Sequence, residues 1–272
     1  MSDGILSPMT IQAAPARRAA TATQQDTILA LLERSKRREL PIRKTFLQQG
    51  RGRVRTPGPL ASLVRNHDER ALDLYLLVHA VCSGEGFDVT MPAGVWARSI
   101  GLANTSSGRS TISKAFRRLD ELGLIERARD GSRAKATLLD EGGHGGAYDH
   151  PGPAKQPYLK VPYPYWEDGW HLKLDLRAKA VLLIALSLDD GFVLPIERAP
   201  DWYGISADTT NRGLLELRDA GLLDLQLTTK TAPLAPEGIA QEYHYTLQAP
   251  FGPMRQPIAT VTKLKQKKVA SS

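Results

Sequence analysis

Apolar residues recur in this chain at helical and strand spacing in two stretches built to one plan. In the first, Ala71, Leu72, Leu74, Tyr75, Leu76, Val78 and Val81 give a helix a wide apolar face. Asp68 is the expected N-cap, and Gly84-Glu85-Gly86 stops the helix near Cys82. Phe87 to Met91 then reads as a short strand. Pro92 opens a second helix through Val95, Trp96 and Ile100, ending at Gly101. A third helix starts around Ser106-Ser107-Gly108 and runs to Leu122, with Ile112, Phe116, Leu119 and Leu122 facing inward. Gly123 is expected at the C-cap in a left-handed conformation. Leu124 to Arg129 and Lys135 to Leu139 follow as strands joined by the turn Asp130-Gly131-Ser132.

Residues 175–247 repeat the plan. The pattern predicts helices over Leu176–Leu188, Glu197–Tyr203 and Ser206–Ala220, with Phe192–Pro195 as the short strand. Strands from Leu222 to Thr229 and Glu242 to Leu247 pair across a long, proline-containing loop. Both third helices close in nearly the same phrase, Leu119-Asp120-Glu121-Leu122-Gly123-Leu124-Ile125 and Leu217-Arg218-Asp219-Ala220-Gly221-Leu222-Leu223. Helix, strand, helix, turn, helix and a two-stranded hairpin is the layout of a winged helix. The expected fold class is therefore α+β, mostly α with small β wings, in two tandem winged-helix domains at 60–141 and 158–250.

The remaining segments read differently. Residues 1–25 are rich in Ala, Thr, Gln and Pro without a period, as in disordered segments. A helix is expected from Asp26, as cap, to about Glu39, with Ile28, Leu31 and Leu32 as its stripe and Arg34, Lys36, Arg37 and Arg38 at its C-terminal end. Gly50 to Pro59 cannot hold a helix, and Arg51, Arg53 and Arg55 there suit either an extended arm in a minor groove or a flexible linker. Residues 1–59 are thus expected to form a flexible basic arm with little capacity to bury a core. The glycine-rich 142–157 is expected as a linker, and 251–272 as a basic tail.

Charge separates these segments. Residues 1–60 carry 11 Lys/Arg against 4 Asp/Glu, and residues 255–272 carry 5 against 0. Residues 61–140 carry 11 against 10, whereas 141–254 carry 9 against 15. Basic ends suit a polyanion, because each Lys or Arg laid on a phosphate releases condensed counterions. The longest apolar run, Ala180 to Leu186, is too short to cross a bilayer, and no secretory signal pattern opens the chain. A cytoplasmic, nucleoid-associated protein without membrane contact is the expectation. Cys82, the single cysteine, lies on an apolar face and reads as a small buried hydrophobe.

A winged helix places its third helix in the major groove, N-terminal end foremost. In the first domain the outward positions are Ser107, Arg109, Ser110, Ser113, Lys114, Arg117 and Arg118. Arg109 comes early, where an arginine reaches a guanine edge. Lys114, Arg117 and Arg118 suit the phosphate backbone. Arg127, Arg129, Arg133 and Lys135 load the strands and wing. The second domain offers Thr209, Asn211 and Arg212 to bases, but among Asp208, Glu216 and Asp219. It reads equally as a second DNA module or a protein-contact module. Tyr163, Tyr165, Trp166 and Trp170 read as core or inter-domain packing, with a platform for single-stranded bases as the other reading. The six histidines show no zinc spacing, and no phosphate loop, nucleophile elbow or paired-carboxylate motif is present. No cofactor, metal or catalytic residue is expected.

The paired domains resemble the tandem winged-helix plasmid replication initiators, and each alone is similar to the winged helices of MarR-type regulators. The likeness covers residues 68–250 and rests on architecture and the repeated closing phrase. It implies a double-stranded DNA-binding protein without catalysis. A bacterial transcriptional regulator is the leading expectation. A plasmid or mobile-element initiator on repeated sites, and a DNA-bound adaptor holding a protein through its second domain, are the alternatives. A homodimer is compatible with each.

Overall fold

The computed structural model describes residues 21–252 except Arg53, Ser83, Glu85 and 153–155, so residues 1–20, Arg53 and most of the expected basic tail lie outside the described residues. The fold is mixed α and β with small antiparallel sheets.

The segment expected as a flexible arm is instead built into the core. Helix α1 spans Gln24–Glu33, and its cap is Thr23, not Asp26. Thr23 Oγ1 accepts from the Asp26 N–H at 3.1 Å, while Asp26 accepts in return from the Thr23 N–H at 2.9 Å. The helix stops at Glu33, so Arg34 and Lys36 to Arg38 lie beyond it, with Lys36 in the left-handed region at φ 54°. Ile28, Leu31 and Leu32 are buried. Strand β1 (Glu39–Arg43) precedes a 3-10 turn at Lys44–Phe46, and β2 (Gln48–Arg51) pairs with β3 (Val54–Pro57). Leu40, Ile42, Phe46 and Leu47 are completely or almost completely buried. A stripe of this size overrides the charge of the segment, because burying each such side chain stabilises by about 1.5–3 kcal/mol.

The first repeat contains α2 (Pro59–Arg65), α3 (Glu69–Val81), β4 (Asp88–Pro92), α4 (Ala93–Ser99), α5 (Ser106–Glu121), β5 (Ile125–Asp130) and β6 (Arg133–Leu138). Its antiparallel sheet runs in the order β4-β6-β5. Helix α2 was not foreseen. Asp68 does not cap α3 with its side chain; its carboxylate turns to Arg118. The second repeat contains β7 (Tyr158–Pro162), short helices α6 (Pro164–Glu167) and α7 (Trp170–Lys173), α8 (Leu176–Leu186), α9 (Ala199–Tyr203), α10 (Ala207–Asp219), β8 (Leu223–Thr231) and β9 (Ile239–Leu247). The strand expected at Phe192–Pro195 is reduced to one bridge, Phe192 to Tyr245. Gly123 and Gly221, the glycines of the shared phrase, adopt φ 63° and 73°, so each third helix turns into its hairpin through a left-handed residue. Gly213 lets α10 approach α8: a Cβ there would lie 2.6 Å from Val181 Cγ2 and 2.8 Å from the Arg177 carbonyl.

The two repeats share one core rather than hanging on a tether. β1 pairs with β7, Leu40 opposite Val161 and Ile42 opposite Leu159, which joins the N-terminal segment to the second repeat. The Tyr163 hydroxyl bonds Ser35 at 2.6 Å and donates to the Ala80 carbonyl at 3.2 Å. Tyr163, Tyr165 and Trp166 are buried with rings packed edge to face, which leaves no stacking platform there. Lys179 of α8 is almost fully buried, with Nζ 2.8 Å from both Glu69 and Asp73 of α3. Burial pushes the Asp73 carboxyl up to about 6 even beside that ammonium.

The expected linker is also packed in its first half. Leu139 bridges to Ala147, the Asp140 N–H donates to the Gly146 carbonyl at 2.7 Å, and Tyr148 is buried against His79 and Phe87. Glu141 has no exposed surface and lies against Arg43 and His79. Among the described residues, no helix is long and apolar enough to cross a membrane.

Candidate functional site

Helix α5 is held in place by its sequence. Thr105 caps it by accepting from the Gly108 N–H at 3.1 Å. Gly108 is required, because a Cβ there would sit 2.0 Å from the Ala103 carbonyl oxygen. Ile112, Ala115, Phe116 and Leu119 are buried, and Trp96 of α4 meets Phe116 at 5.8 Å between ring centroids. This packing leaves Ser107, Arg109, Ser110, Lys114 and Arg117 exposed.

The β5–β6 hairpin then forms a wall beside the helix. Its loop has two residues, Gly131 and Ser132, so Asp130 opposes Arg133 and Arg129 opposes Ala134. Arg127 and Arg129 share the sheet face of buried Ile125, the face turned to α5. Between helix and hairpin lies a cleft of about 600 Å³, lined among others by Arg109, Ser113, Arg127, Arg129 and Arg133 over a floor that includes Ile112 and Phe116. Among the described residues no carboxylate lines it. Among the described residues, none of these four arginines forms a salt bridge. Arg109 leans back on Asn104 Oδ1 at 3.1 Å, which aims it at the helix N-terminus. The Asp120 carboxylate, on the same flank but at the far end, accepts from the Arg127 backbone N–H at 3.3 Å.

The other expected residues part company with this cleft. Arg118 lies on the opposite flank of α5, with Nε 2.8 Å from Asp68 and a guanidinium nitrogen 3.2 Å from the Ser62 hydroxyl. It ties α5 to the α2–α3 turn and is not available to a phosphate without losing those bonds. Lys114 lies near that flank, over a depression shared with His67, Asp68 and Glu69. Lys135 opposes Ala128, which puts it on the outer face of the sheet, 3.1 Å from Asp88. Ser110 and Arg117 stay on the crest of the helix. Arg51 is in the β2–β3 hairpin opposite Val54, and Arg55 stacks its guanidinium 4.4 Å from the Trp202 ring centroid. A free, extended arm at these positions is therefore replaced by a hairpin packed on α9. Arg127 is the residue whose place in the cleft is plainest once the strand face is known.

In the second repeat, α10 is capped by Ser206, which accepts from the Thr209 N–H at 3.1 Å and donates to the Thr209 hydroxyl at 2.8 Å. Arg212 is paired with Asp208 at 3.0 Å, one turn away. Asn211 is exposed. Glu216 turns inward, accepting from the Asp175 N–H at 2.8 Å. The groove between α10 and the β8–β9 hairpin corresponds to the arginine cleft, yet Leu214, Leu215, Leu225, Tyr243 and Tyr245 dominate its lining. Each repeat thus has a cleft between its third helix and its hairpin, with four arginines in the lining of the first and mainly apolar side chains in that of the second. Compared with known protein families, characterised proteins and solved structures, the chain matches none.

Proposed function

We propose that this chain is a sequence-specific, double-stranded DNA-binding protein without a catalytic role, built on two winged-helix repeats of which the first grips the duplex. The observation that supports this is the cleft beside α5, where Arg109, Arg127, Arg129 and Arg133 converge, among the described residues, without a carboxylate in the lining and without ion-pair partners. Four uncompensated guanidiniums on a helix and an adjoining hairpin suit a phosphate backbone, with the α5 N-terminal turns toward base edges. Arg109 and Ser110 then read bases, Arg117 and Ser113 lie over the groove edge, and the hairpin arginines hold phosphates. Bacterial transcriptional regulation is the role that fits one reading head. An initiator gripping repeated sites through both repeats fits less well, because Arg212 is neutralised by Asp208. The adaptor reading has its own support in the apolar groove of the second repeat.

Selecting duplexes bound by the full chain from a random pool, then measuring anisotropy at several salt concentrations, tests the proposal. Arg109→Ala is expected to weaken the selected site by about 1–3 kcal/mol and relax preference at one base position. Arg129→Ala is expected to weaken all duplexes alike and flatten the slope of log affinity against log salt by about 0.9. Arg118→Ala and Lys135→Ala should leave that slope unchanged. No enrichment of any duplex, or binding by the Arg109 and Arg129 variants equal to that of the parent, overturns the reading.

A further inference from the structure

The second repeat ends in a hairpin whose outer half carries apolar side chains into solvent. Leu227, Ile239 and Tyr243 are 52%, 46% and 48% exposed, and Leu215 of α10 beside them is 39% exposed. Leu227 and Tyr243 face each other across the ladder and extend the groove formed by Leu214, Leu225 and Tyr245. Among the described residues strand β8 pairs with β9 alone, which leaves its other edge without a strand. The corresponding edge strand of the first repeat, β5, is blunted by Glu126, Arg127, Arg129 and Asp130. From Leu225 to Thr229, β8 reads Leu-Gln-Leu-Thr-Thr, without a charge.

The two charges of β8, Asp224 and Lys230, stand three residues either side of Leu227. This makes the strand complementary to itself. Antiparallel pairing of two copies about a two-fold axis at Leu227 sets Asp224 opposite the partner copy's Lys230, and Lys230 opposite its Asp224. Gln226 then faces Thr228, Leu225 faces Thr229, and Leu227 faces its own counterpart. No like charges meet. The pleat puts Leu225, Leu227 and Thr229 on the groove face and the charged pairs on the other. We propose that the open edge of β8 is the seam of a homodimer, with the order β9-β8-β8-β9 across the two-fold axis. Backbone hydrogen bonds along the edge supply association, and the opposed charges fix the register. An isologous interface of this kind uses the β8 edge of both copies and closes on itself at the two-fold axis. Lys230 already meets Glu242 at 2.8 Å within its own chain, and an ammonium has three protons to share between the two carboxylates. The seam lies in the second repeat and involves none of the arginines of the α5 cleft.

Sedimentation equilibrium of the full chain without DNA tests this, over loading concentrations from about 1 to about 100 µM so that association is visible by mass action. The expected mass rises toward twice the 29.8 kDa of one chain. Leu227→Arg places two like charges at the axis, and Asp224→Lys sets lysine against lysine at both ends. Each is expected to weaken association by about tenfold or more while keeping the circular dichroism of the parent. Lys230→Asp does the same by setting aspartate against aspartate. Mixing the Asp224→Lys and Lys230→Asp chains restores both opposite-charge pairs, so the mixture is expected to dimerise where neither chain does alone. A monomer at every concentration, a dimer that survives both Leu227→Arg and Asp224→Lys, or a mixture of folded variants that stays monomeric overturns the proposal.

Discussion

Deletion of residues 1–58 is expected to leave a chain that does not fold. The segment contributes Ile28, Leu31, Leu32, Leu40, Ile42, Phe46 and Leu47, all buried at 4% exposure or less. At about 1.5–3 kcal/mol for each side chain, their loss is of the order of 10 kcal/mol or more. The whole stability of a domain is only about 5–15 kcal/mol. The deletion also strips β7 of its partner β1 and leaves the Tyr163 hydroxyl without Ser35. If the segment were a loose arm, the truncated chain would keep its fold and lose only salt-dependent affinity for duplexes. Near-ultraviolet circular dichroism and urea titration separate the two. A cooperative transition with the parent's m-value in the truncated chain would refute the packed role. By the same argument, residues 60–141 alone lack the α1 and β1 surfaces they rest on, so DNA binding is best dissected in the full chain.

The longer helices and the hairpins of the two repeats were legible because each carries a local signal, whereas α2, α6 and α7 were not and Phe192–Pro195 forms only a bridge. The stripe Ile112, Phe116, Leu119 sets α5, and the glycine of each closing phrase sets its end. The N-terminal segment was not legible, since its strands are four or five residues long and the partner of Ile42 is Leu159, far along the chain. Composition favoured an arm, whereas a distant pairing decided otherwise. Among the site residues, the placements of Arg118 and Arg55 were hidden for the same reason. Asp68 and Trp202 claim them, and neither contact has a local trace. Lys135 differs, because its place could have been found. A two-residue loop at Gly131-Ser132 fixes the register, sets Lys135 opposite Ala128, and so puts it on the face away from Arg127 and Arg129. Counting along the hairpin places Lys135 as the coordinates do, whereas Arg133, opposite Asp130 and of the same parity as Lys135, still lines the cleft from the end of the hairpin.

Glu141→Ala is expected to cost about 3–5 kcal/mol, the range for removing one partner of a buried ion pair. Its carboxylate meets the Arg43 guanidinium, accepts from the Arg43 backbone N–H at 3.1 Å, and has Oε1 3.5 Å from His79 Nε2. Arg43 is 4% exposed. Its remaining partners are the Asp149 carbonyl and a longer contact to Asp140 at 3.8 Å. Truncation therefore strands a buried guanidinium at the point where β1 meets the turn after β6. The double variant Arg43→Met/Glu141→Leu is expected to lose less than Glu141→Ala, because it removes the charge as well as its partner. Acid should reproduce part of the effect. Burial raises the Glu141 carboxyl, but His79 and the Arg43 N–H and guanidinium outweigh it and hold it below its usual 4.5. A carboxyl depressed on folding contributes stability that is present above its unfolded value and lost as pH falls through the folded one. Urea midpoints taken downward from neutral pH should thus fall more steeply below 4.5 for the parent than for Glu141→Gln. Parallel acid limbs, or a Glu141→Ala chain as stable as the parent at neutral pH, would show that this ion pair does not anchor the N-terminal segment.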